Sequence, residues 1–517
     1  MAIQQSVQGV VEATEDPTLQ AGELVKRIRS GRPVRIDGAV IEGDVDLDGV
    51  EYPHRLILTN CVFLGHLHLT EARFAHTVDL SGCELRESLN LFATRVDGQL
   101  KLKRARICRG TRPPIHHNFD QIEVRGRLNG THLRSEVPLS FRQASLGEIG
   151  FDGLEVDGDL DLQIAKIQGD LFCQVADSGR PVIRGSVQMT GLTVGGHADF
   201  SGIRIEGDLV MANAEVRGDL LCQEARGFRP EILGTASFFG AKVGGQLVLD
   251  GRLFEPAGTA APPVDVRQNH RERRRHFLHR MLTGRQEPDG DARLNLDRAR
   301  LSKLAVRERI PESLSADGLT FDDLELPHVP GDCEYSELLR RTRPFKRSTY
   351  LAVEDWLNNK GLDEAAGRVY LEMSDRDLIT GKSSLLVRWL KWLFLGVAIG
   401  YGARPRRLMA LFLIAFALSC WVFSQPGSLV SYSEKPAAAP DPWPPEAQTA
   451  WVTLGVALRC HFPMLLFWGE PNYVPSPHVI PRLGIRYDAY ALLISAISWV
   501  LVPLFLAGLT GIVRQRR

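Results

Sequence analysis

The sequence predicts a mainly β solenoid that is followed by an α-helical hairpin and a two-span α-helical membrane domain. Three observations support this prediction. Paired apolar residues recur with an 11-residue period through much of residues 1–250, the periodicity becomes helical from Tyr335 to Asp377, and two long apolar segments follow residue 400. An apolar period of two indicates strands, a period near 3.6 indicates helices, and long uncharged runs indicate membrane spans.

The 11-residue recurrence of apolar pairs, which we call the pulse, predicts the fold of the first half of the chain. In a typical unit, Gly207 to Val216, apolar residues alternate and a small residue allows the chain to turn, which predicts two short strands per unit. One unit cannot bury its apolar face alone, so a fixed period predicts coils stacked around a shared core. The pairs that define the pulse are Val45/Leu47, Leu56/Leu58, Leu67/Leu69, Val78/Leu80, Leu89/Leu91, Leu100/Leu102, Val187/Met189, Ala198/Phe200, Leu209/Met211 and Leu220/Cys222.

The same period sets the domain boundaries. We predict an N-terminal helical cap over residues 1–35, in which a helix from about 17 to 30 covers the open end of the first coil. The solenoid then covers residues 36–330 with insertions at 108–135 and 252–290, because the repeat returns after each insertion. Apolar residues at helical spacing on both sides of Lys360-Gly361 predict an antiparallel helical hairpin over residues 335–380.

The last segment is predicted to be a membrane domain. Its apolar run between Trp451 and Trp468 contains Arg459 and His461, and two interpretations stay open: a short re-entrant helix, or an interfacial or oligomer-packing helix. Arg388 and Lys391 favour an interfacial helix for the segment around them, with a third span as the alternative. The predicted elements of this domain, residues 383–517, are an interfacial helix at 385–399, spans at 408–424 and 490–513, and an external loop at 425–488.

Arginines predict the orientation of these spans. Positive residues are enriched on the cytoplasmic side of membrane helices, so both flanking clusters are expected there. The solenoid and the C-terminus would then be cytosolic, in a multi-pass protein of the cytoplasmic membrane. The predicted inner-face anchors are Arg404, Arg406, Arg407, Arg514, Arg516 and Arg517.

Composition limits the compartment and the classes of partner. The chain has 62 basic and 62 acidic residues, which gives no overall demand for a polyanionic partner. The N-terminal segment 1–40 contains charges throughout and lacks the apolar run of a signal peptide. Most cysteines of the solenoid, such as Cys61 and Cys83, occupy apolar positions of the repeat, which favours buried thiols in a reducing compartment.

Residues 41–325 resemble the pentapeptide-repeat solenoid, with units of five and six residues alternating. This resemblance implies a four-sided coil in which four such units complete one turn. The segment Gly361 to Asp377, followed by Tyr401-Gly402-Ala403-Arg404-Pro405 and an apolar run, is similar to the C-terminal region of bacterial membrane-anchored pentapeptide-repeat proteins. In some of these relatives the last two spans flank a pore loop like that of two-helix potassium channels, but no Thr-Val-Gly-Tyr-Gly filter occurs between Trp451 and Asp488.

Motifs that would indicate catalysis or metal binding are incomplete. Asp44, Asp46 and Asp48 match the first half of a calcium loop, yet Arg55 stands where the bidentate glutamate is required. His66 and His68 lie on one side of a strand, but two ligands do not make a metal site, and we expect solvated histidines. No dinucleotide fingerprint, Walker loop or nucleophile elbow is present, so we expect no cofactor and no metal.

The insertion at 252–290 is strongly basic. If it is helical, it matches an anionic lipid surface; a solvated loop and a nucleic-acid or protein partner are the alternatives. The candidate lipid- or polyanion-binding residues are Arg267, Arg271, Arg273, Arg274, Arg275 and Arg280.

Three functions follow from these patterns. The first is a non-enzymatic, membrane-anchored interaction or sensing platform that binds a protein partner on the solenoid face, through outward residues such as Arg95, Lys101, Lys103 and Arg104. The second is a homo-oligomeric, channel-like effector in which Arg459 and His461 line or gate a pore. The third is a membrane-associated oxidoreductase, a description given to actinobacterial proteins of similar appearance, for which this sequence has no supporting motif.

Overall fold

The computed structural model describes residues 18–111, 117–177, 179–255, 292–328, 333–380, 405–431, 450–462, 473–480 and 484–509. The chain divides into two compact units: unit 1 comprises residues 1–269 and 288–366, and unit 2 comprises residues 270–287 and 367–517. The helices of the described residues are α1 (Ala21–Arg29), α2 (Glu334–Arg341), α3 (Arg347–Asn359), α4 (Asp363–Thr380), α5 (Pro405–Phe423), α6 (Ala450–His461) and α7 (Tyr487–Leu509).

Unit 1 is a β-solenoid whose parallel strands stack in four ladders. Ladder 1 contains Val34–Asp37, Leu56–Thr59, Val78–Asp79, Leu100–Lys101, Leu171–Phe172, Ala198–Asp199 and Leu220–Cys222. Ladder 2 contains Thr18–Gln20, Val40–Glu42, Val62–Phe63, Glu84–Leu85, Arg106–Ile107, Arg134–Ser135, Glu155–Val156, Val182–Ile183, Arg204–Ile205 and Glu231–Ile232. Ladder 3 consists of two sheets: three strands, Val45–Asp46, Leu67–His68 and Leu89–Asn90, and then seven strands, Leu139–Ser140, Leu160–Asp161, Val187–Gln188, Leu209–Val210, Ala236–Ser237, Leu294–Asn295 and Leu314–Ser315.

Ladder 4 completes each coil. It contains Glu51–Tyr52, Arg73–Phe74, Arg95–Val96, Lys166–Ile167, Thr193–Val194 and Glu215–Val216. Ladders 1 and 4 merge into one sheet of 18 strands, because five longer strands continue through the corner between them. These shared strands are Glu123–Asn129, Ser145–Gly150, Lys242–Asp250, Arg300–Arg307 and Thr320–Glu325.

The pairing register explains the sequence pulse. Val78 pairs with Leu56 on one side and with Leu100 on the other, so one coil extends over 56–77, the next over 78–99, and each contains two pulses. Alternate residues point inward, and the inward residues of successive coils form one continuous apolar core. The stacked parallel strands confirm the predicted β-solenoid. Because Leu171 pairs with Ala198, and Leu220 with Leu247, the coils at 171–197 and 220–246 are longer than these regular coils.

One corner of the coil requires a left-handed backbone in every turn. The residue at this corner, between ladders 3 and 4, has φ between 53° and 70° in eleven successive coils of the described residues. Glycine adopts this conformation readily, whereas other residues do so at a cost of about 1 kcal/mol. The eleven residues are Gly49, Glu71, Ala93, Gln121, Gln143, Ile164, Gly191, Asn213, Gly240, Arg298 and Gly318.

Helices lie at both ends of the solenoid core. Ala21, Leu24 and Ile28 of α1 are buried in the same core as the first coils. At the other end, Thr349 of α3 donates a hydrogen bond to the carbonyl oxygen of Ala316 at 2.9 Å, and the Trp356 indole donates to the carbonyl oxygen of Asp322 at 2.9 Å. These contacts cover apolar surface that the last coil would otherwise expose.

Unit 2 contains α5, α6 and α7 and a short antiparallel pair of strands, Leu429–Ser431 with Tyr473–Pro475. The three helices share an apolar core that includes Phe423, Ala457 and Tyr490.

The predicted membrane domain is wrong. Among the described residues, no helix is long and apolar enough to cross a membrane. The uncharged run of α5 extends only from Leu408 to Phe423, which is shorter than the stretch of about 20 residues that a bilayer core requires. The apolar residues of α5 and α7 suggested spans at 408–424 and 490–513. Some of them are instead buried in the core that these two helices form with α6. The two-span topology, integral membrane partnership and multi-pass localisation are corrected accordingly. The predicted interfacial helix at 385–399 lies outside the described residues.

Candidate binding groove

A groove crosses the outward face of ladder 4 near the C-terminal end of the solenoid. It has a cavity volume of about 440 Å³, and we call it the Gly244 groove after the residue at its floor. Its lining residues are Glu215, Val216, Arg217, Lys242, Val243, Gly244, Arg300, Leu301, Ser302, Thr320, Phe321 and Asp322.

A β-bulge makes this depression. The register between strands Lys242–Asp250 and Arg300–Arg307 shifts between Val243 and Gln246, so that Gly244 and Gly245 together oppose Ser302. A Cβ atom at Gly244 would lie 2.4 Å from the carbonyl oxygen of Arg217, so close stacking of the coils leaves room only for glycine. The Ser302 hydroxyl donates a hydrogen bond to the Gly244 carbonyl at 2.6 Å, which fixes one wall of the groove.

Three cations line the groove. Lys242 and Arg300 are direct partners in the ladder, between Glu215 on one side and Thr320 on the other. Arg217 lies one coil before Gly244 and stacks against it. Arg217, Lys242 and Arg300 are exposed, and within the described part of the chain none of them forms an ion pair or a side-chain hydrogen bond.

Many other cations on the solenoid are paired. Arg95 forms an ion pair with Glu123 across ladder 4, Arg127 pairs with Glu148 at 3.2 Å, and Lys303 pairs with Glu325 at 2.6 Å. In the groove, Glu215 is the direct ladder partner of Lys242 on the side away from Arg300, and Asp322 lies on the coil after Arg300, yet within the described residues neither carboxylate forms an ion pair with the three cations. Like charges in directly opposed positions of a sheet are destabilising, so the Arg300 side of the Lys242–Arg300 pair favours an added anion.

The chain matches no protein-family model, no curated protein and no solved structure with which it was compared. The groove is therefore interpreted from its own chemistry. Its three cations and its exposed glycine backbone can bind an anionic group, and two carboxylates, Glu215 and Asp322, lie in the same lining.

The contact residues predicted from the sequence lie elsewhere. Arg95 and Lys101 are already engaged, because Arg95 pairs with Glu123 and Lys101 pairs with Asp79 at 3.5 Å. Lys103 and Arg104 are exposed at a corner of the coil, where Arg104 has a φ of 57°. The structure thus does not gather these four residues into one site.

Most predicted basic residues lie outside the described residues. Arg406 and Arg407 fall within the first turn of α5. The others, which the structure does not describe, are Arg267, Arg271, Arg273, Arg274, Arg275, Arg280, Arg404, Arg514, Arg516 and Arg517.

The calcium-like aspartates hold the solenoid backbone. Asp44 accepts a hydrogen bond from the backbone N–H of His66 at 2.9 Å, and Asp48 accepts one from Thr70 at 2.7 Å, each in the next coil. Asp46 accepts from the N–H of Asp48 at 3.0 Å. The described ranges contain no group of three His, Cys, Asp or Glu residues arranged to hold a metal ion.

The expectation that His66 is solvated is wrong. Its side chain is buried, and Nδ1 lies 2.6 Å from the Ser88 hydroxyl of the next coil. A hydrogen-bond partner within the stack allows an imidazole to occupy this position.

His461 belongs to a buried polar cluster in unit 2. Its Nε2 lies 2.9 Å from the Ser419 hydroxyl, its Nδ1 lies 3.4 Å from the Ser498 hydroxyl, and Ser419 also contacts the Tyr490 hydroxyl at 3.1 Å. His461 is only 2% exposed, and burial lowers its pKa below 6.5. Ser419 is fully buried, so the cluster joins α5, α6 and α7 and does not present a nucleophile. Because no helix of the described residues can cross a membrane, the hypothesis that Arg459 and His461 line or gate a channel is wrong.

Proposed function

We propose that unit 1 is a non-enzymatic interaction module that binds an extended segment of a partner protein in the Gly244 groove. The observation that supports this most is the placement, in one depression of a strand ladder, of three cations that form no ion pair with any residue that the structure describes. The resemblance of residues 41–325 to pentapeptide-repeat solenoids belongs to the same proposal, since stacked coils present long exposed faces to partners.

The dimensions of the groove favour a short extended segment. From Glu215 to Thr320 the groove crosses four strands, and neighbouring strands in a sheet are about 4.8 Å apart, which gives a length of about 14 Å. An extended chain rises about 3.4 Å per residue, so about four residues fill this length. Its volume of about 440 Å³ falls within the range of small binding sites.

Filling one end of the groove tests this proposal. A random peptide library is displayed and selected on the purified full-length chain, and the selected peptides are measured on Thr320→Trp and Thr193→Trp variants. Thr320 lines the groove, whereas Thr193 occupies the same ladder on the far side of Glu215 and serves as the matched control. We expect Thr320→Trp to weaken binding about tenfold or more because the indole occupies the groove.

The control decides the outcome. Peptides that bind both variants as well as the native chain, or the absence of enrichment from libraries with and without phosphoserine, would exclude the groove as a partner site. Circular dichroism spectra of both variants establish that each is folded.

A further inference from the structure

We infer that the anchor of the bound segment is a phosphoryl group, held over Gly244 by Arg217, Lys242 and Arg300. The Gly244 groove would thus recognise a phosphoserine or phosphothreonine of a partner protein. This inference rests on the proposed function, because it names the chemistry of the segment that the groove binds.

The ladder register places the three cations on three successive coils that line the groove. Lys242 precedes Gly244 by two positions, so both face outward from the same strand. Arg300 opposes Lys242 on the next coil, and Ser302 opposes Gly244 and Gly245 there. Arg217 stacks against Gly244 from the previous coil. A side chain at Gly244 would run into the backbone of the previous coil, so exposed main chain stays accessible there, within a groove that Arg217, Lys242 and Arg300 also line.

The three cations of the groove provide donors for a phosphate dianion, and with Glu215 and Asp322 the whole lining has one net positive charge. A phosphomonoester carries a charge of about −1.5 to −2 at neutral pH and offers three acceptor oxygens. Two guanidinium groups and one ammonium group supply donors to all of these oxygens, and arginine binds phosphate in a bidentate manner. A carboxylate offers two acceptor oxygens and one charge, so it binds fewer of these donors than a phosphate does.

The flanking carboxylates exclude longer polyanions. Glu215 and Asp322 lie on the outer coils of the groove, and each repels a second phosphate placed next to the first. A nucleic acid presents one charge for every phosphate along its backbone, so its neighbouring phosphates would meet these carboxylates. A peptide with one phosphorylated residue and uncharged or basic neighbours avoids this repulsion.

Fluorescence anisotropy with three degenerate peptide pools tests the inference on the full-length chain. Each labelled nonapeptide pool has a fixed central residue, which is phosphoserine, serine or glutamate, and randomised flanks. We expect the phosphoserine pool to bind about tenfold or more tightly than the serine pool, with glutamate between them. Inorganic phosphate should displace the phosphoserine pool, and added salt should weaken its binding.

Charge-neutral variants locate the site. Lys242→Gln and Arg300→Gln should each weaken binding of the phosphoserine pool about tenfold. Lys166→Gln removes another exposed lysine of ladder 4, three coils from Lys242, and should leave binding unchanged.

The outcomes separate this inference from the proposed function. Equal binding of the three pools, or insensitivity to Lys242→Gln and Arg300→Gln, overturns the phosphoryl anchor, even if displayed peptides still depend on an open groove. Inorganic phosphate that binds as tightly as the phosphoserine pool overturns the peptide source. Loss of displayed peptides in the Thr320→Trp experiment is unaffected by either result, so each claim can fail alone.

Discussion

At the scale of single residues, the buried imidazole of His461 shows how this chain accommodates a buried polar group. His461 has a hydroxyl partner on each ring nitrogen, and the rings of Phe412 and Phe416 lie 5.4 and 5.5 Å from its imidazole. In the neutral state one nitrogen donates and the other accepts, and the rotating hydroxyls of Ser419 and Ser498 serve both. A proton on the second nitrogen would place a charge in an apolar pocket.

Acidification should therefore loosen unit 2. The pKa of His461 is lower in the folded chain than in the unfolded chain, so the folded state binds fewer protons. The contribution of His461 to stability is complete above pH 6.5 and decreases as the pH falls below that value. Hydrogen exchange followed by mass spectrometry should show faster exchange in α5, α6 and α7 at pH 5.5 than at pH 7.5, after correction for intrinsic rates.

A His461→Gln variant provides the control for this pH effect. Glutamine keeps one donor and one acceptor but does not titrate, so exchange in α5, α6 and α7 should lose its dependence on pH. If the variant and the native chain respond equally to acid, another group is responsible.

At the scale of elements, the Gly-Asp pairs of the repeat act as clamps between coils. Asp208 accepts hydrogen bonds from the backbone N–H and the hydroxyl of Thr235, at 2.7 and 2.9 Å. Asp159, Asp170 and Asp219 accept in the same way from a backbone N–H of the following coil. The aspartate carboxylate at each of these corners thus accepts a hydrogen bond from a backbone N–H group that has no partner in the strand ladders, because the strands are only two or three residues long.

Removing one clamp should destabilise the solenoid measurably. Asp208→Ala removes the acceptor of the Thr235 N–H at an exposed corner, which should cost about 0.5–1.5 kcal/mol of unfolding free energy. Asp208→Asn keeps an acceptor oxygen and should retain most of the stability. Asp177, which is 96% exposed in a surface ion pair with Arg226, offers a matched carboxylate, and Asp177→Ala should change nothing measurable. Urea denaturation followed by circular dichroism distinguishes a clamp from a solvated aspartate.

The sequence predicts the strands well because their burial alternates, but it misplaces the corners. Ala214 looks like the residue that allows the turn, yet it is buried in the core, and the preceding Asn213 adopts the left-handed conformation with a φ of 54°. Hydropathy similarly cannot tell whether an apolar helix faces lipid or other helices. Phe423 and Ala457 are buried against neighbouring helices, which the apolar runs of the sequence do not reveal.

At the scale of the whole molecule, the candidate site cannot be predicted from the sequence, because its residues are far apart along the chain. Lys242 and Arg300 are neighbours in the ladder, although the whole insertion at 252–290 separates them in the sequence. The sequence predicts a polyanion-binding site in that basic insertion, which lies mostly outside the described residues. The residues that line the groove belong to the coils on either side of the insertion. The double glycine at Gly244-Gly245 is a local signal of close backbone approach, but Gly195-Gly196 repeats it at the same corner of an earlier coil, so it does not single out the groove.

The coil length makes a prediction about the architecture as a whole. In a solenoid each coil contacts only its neighbours, so one coil can be removed if the next can take its place. Deleting residues 78–99 removes one complete coil and brings Leu100 into the place of Val78, which pairs with Leu56 in the native chain. We expect this variant to keep its strand signal in circular dichroism and to unfold cooperatively, with some loss of stability.

Deleting residues 78–102 is the matched control for that coil deletion. It extends the deletion by three positions and places Lys103, which is exposed in the native coil, at the inward position of Val78. An odd shift reverses the inward and outward faces of a strand, and burying a lysine in this apolar core without a partner is costly. We therefore expect the longer deletion to lose its strand signal or to aggregate. If the two deletions behave alike, the inward alternation and the register of whole coils do not specify the stacking.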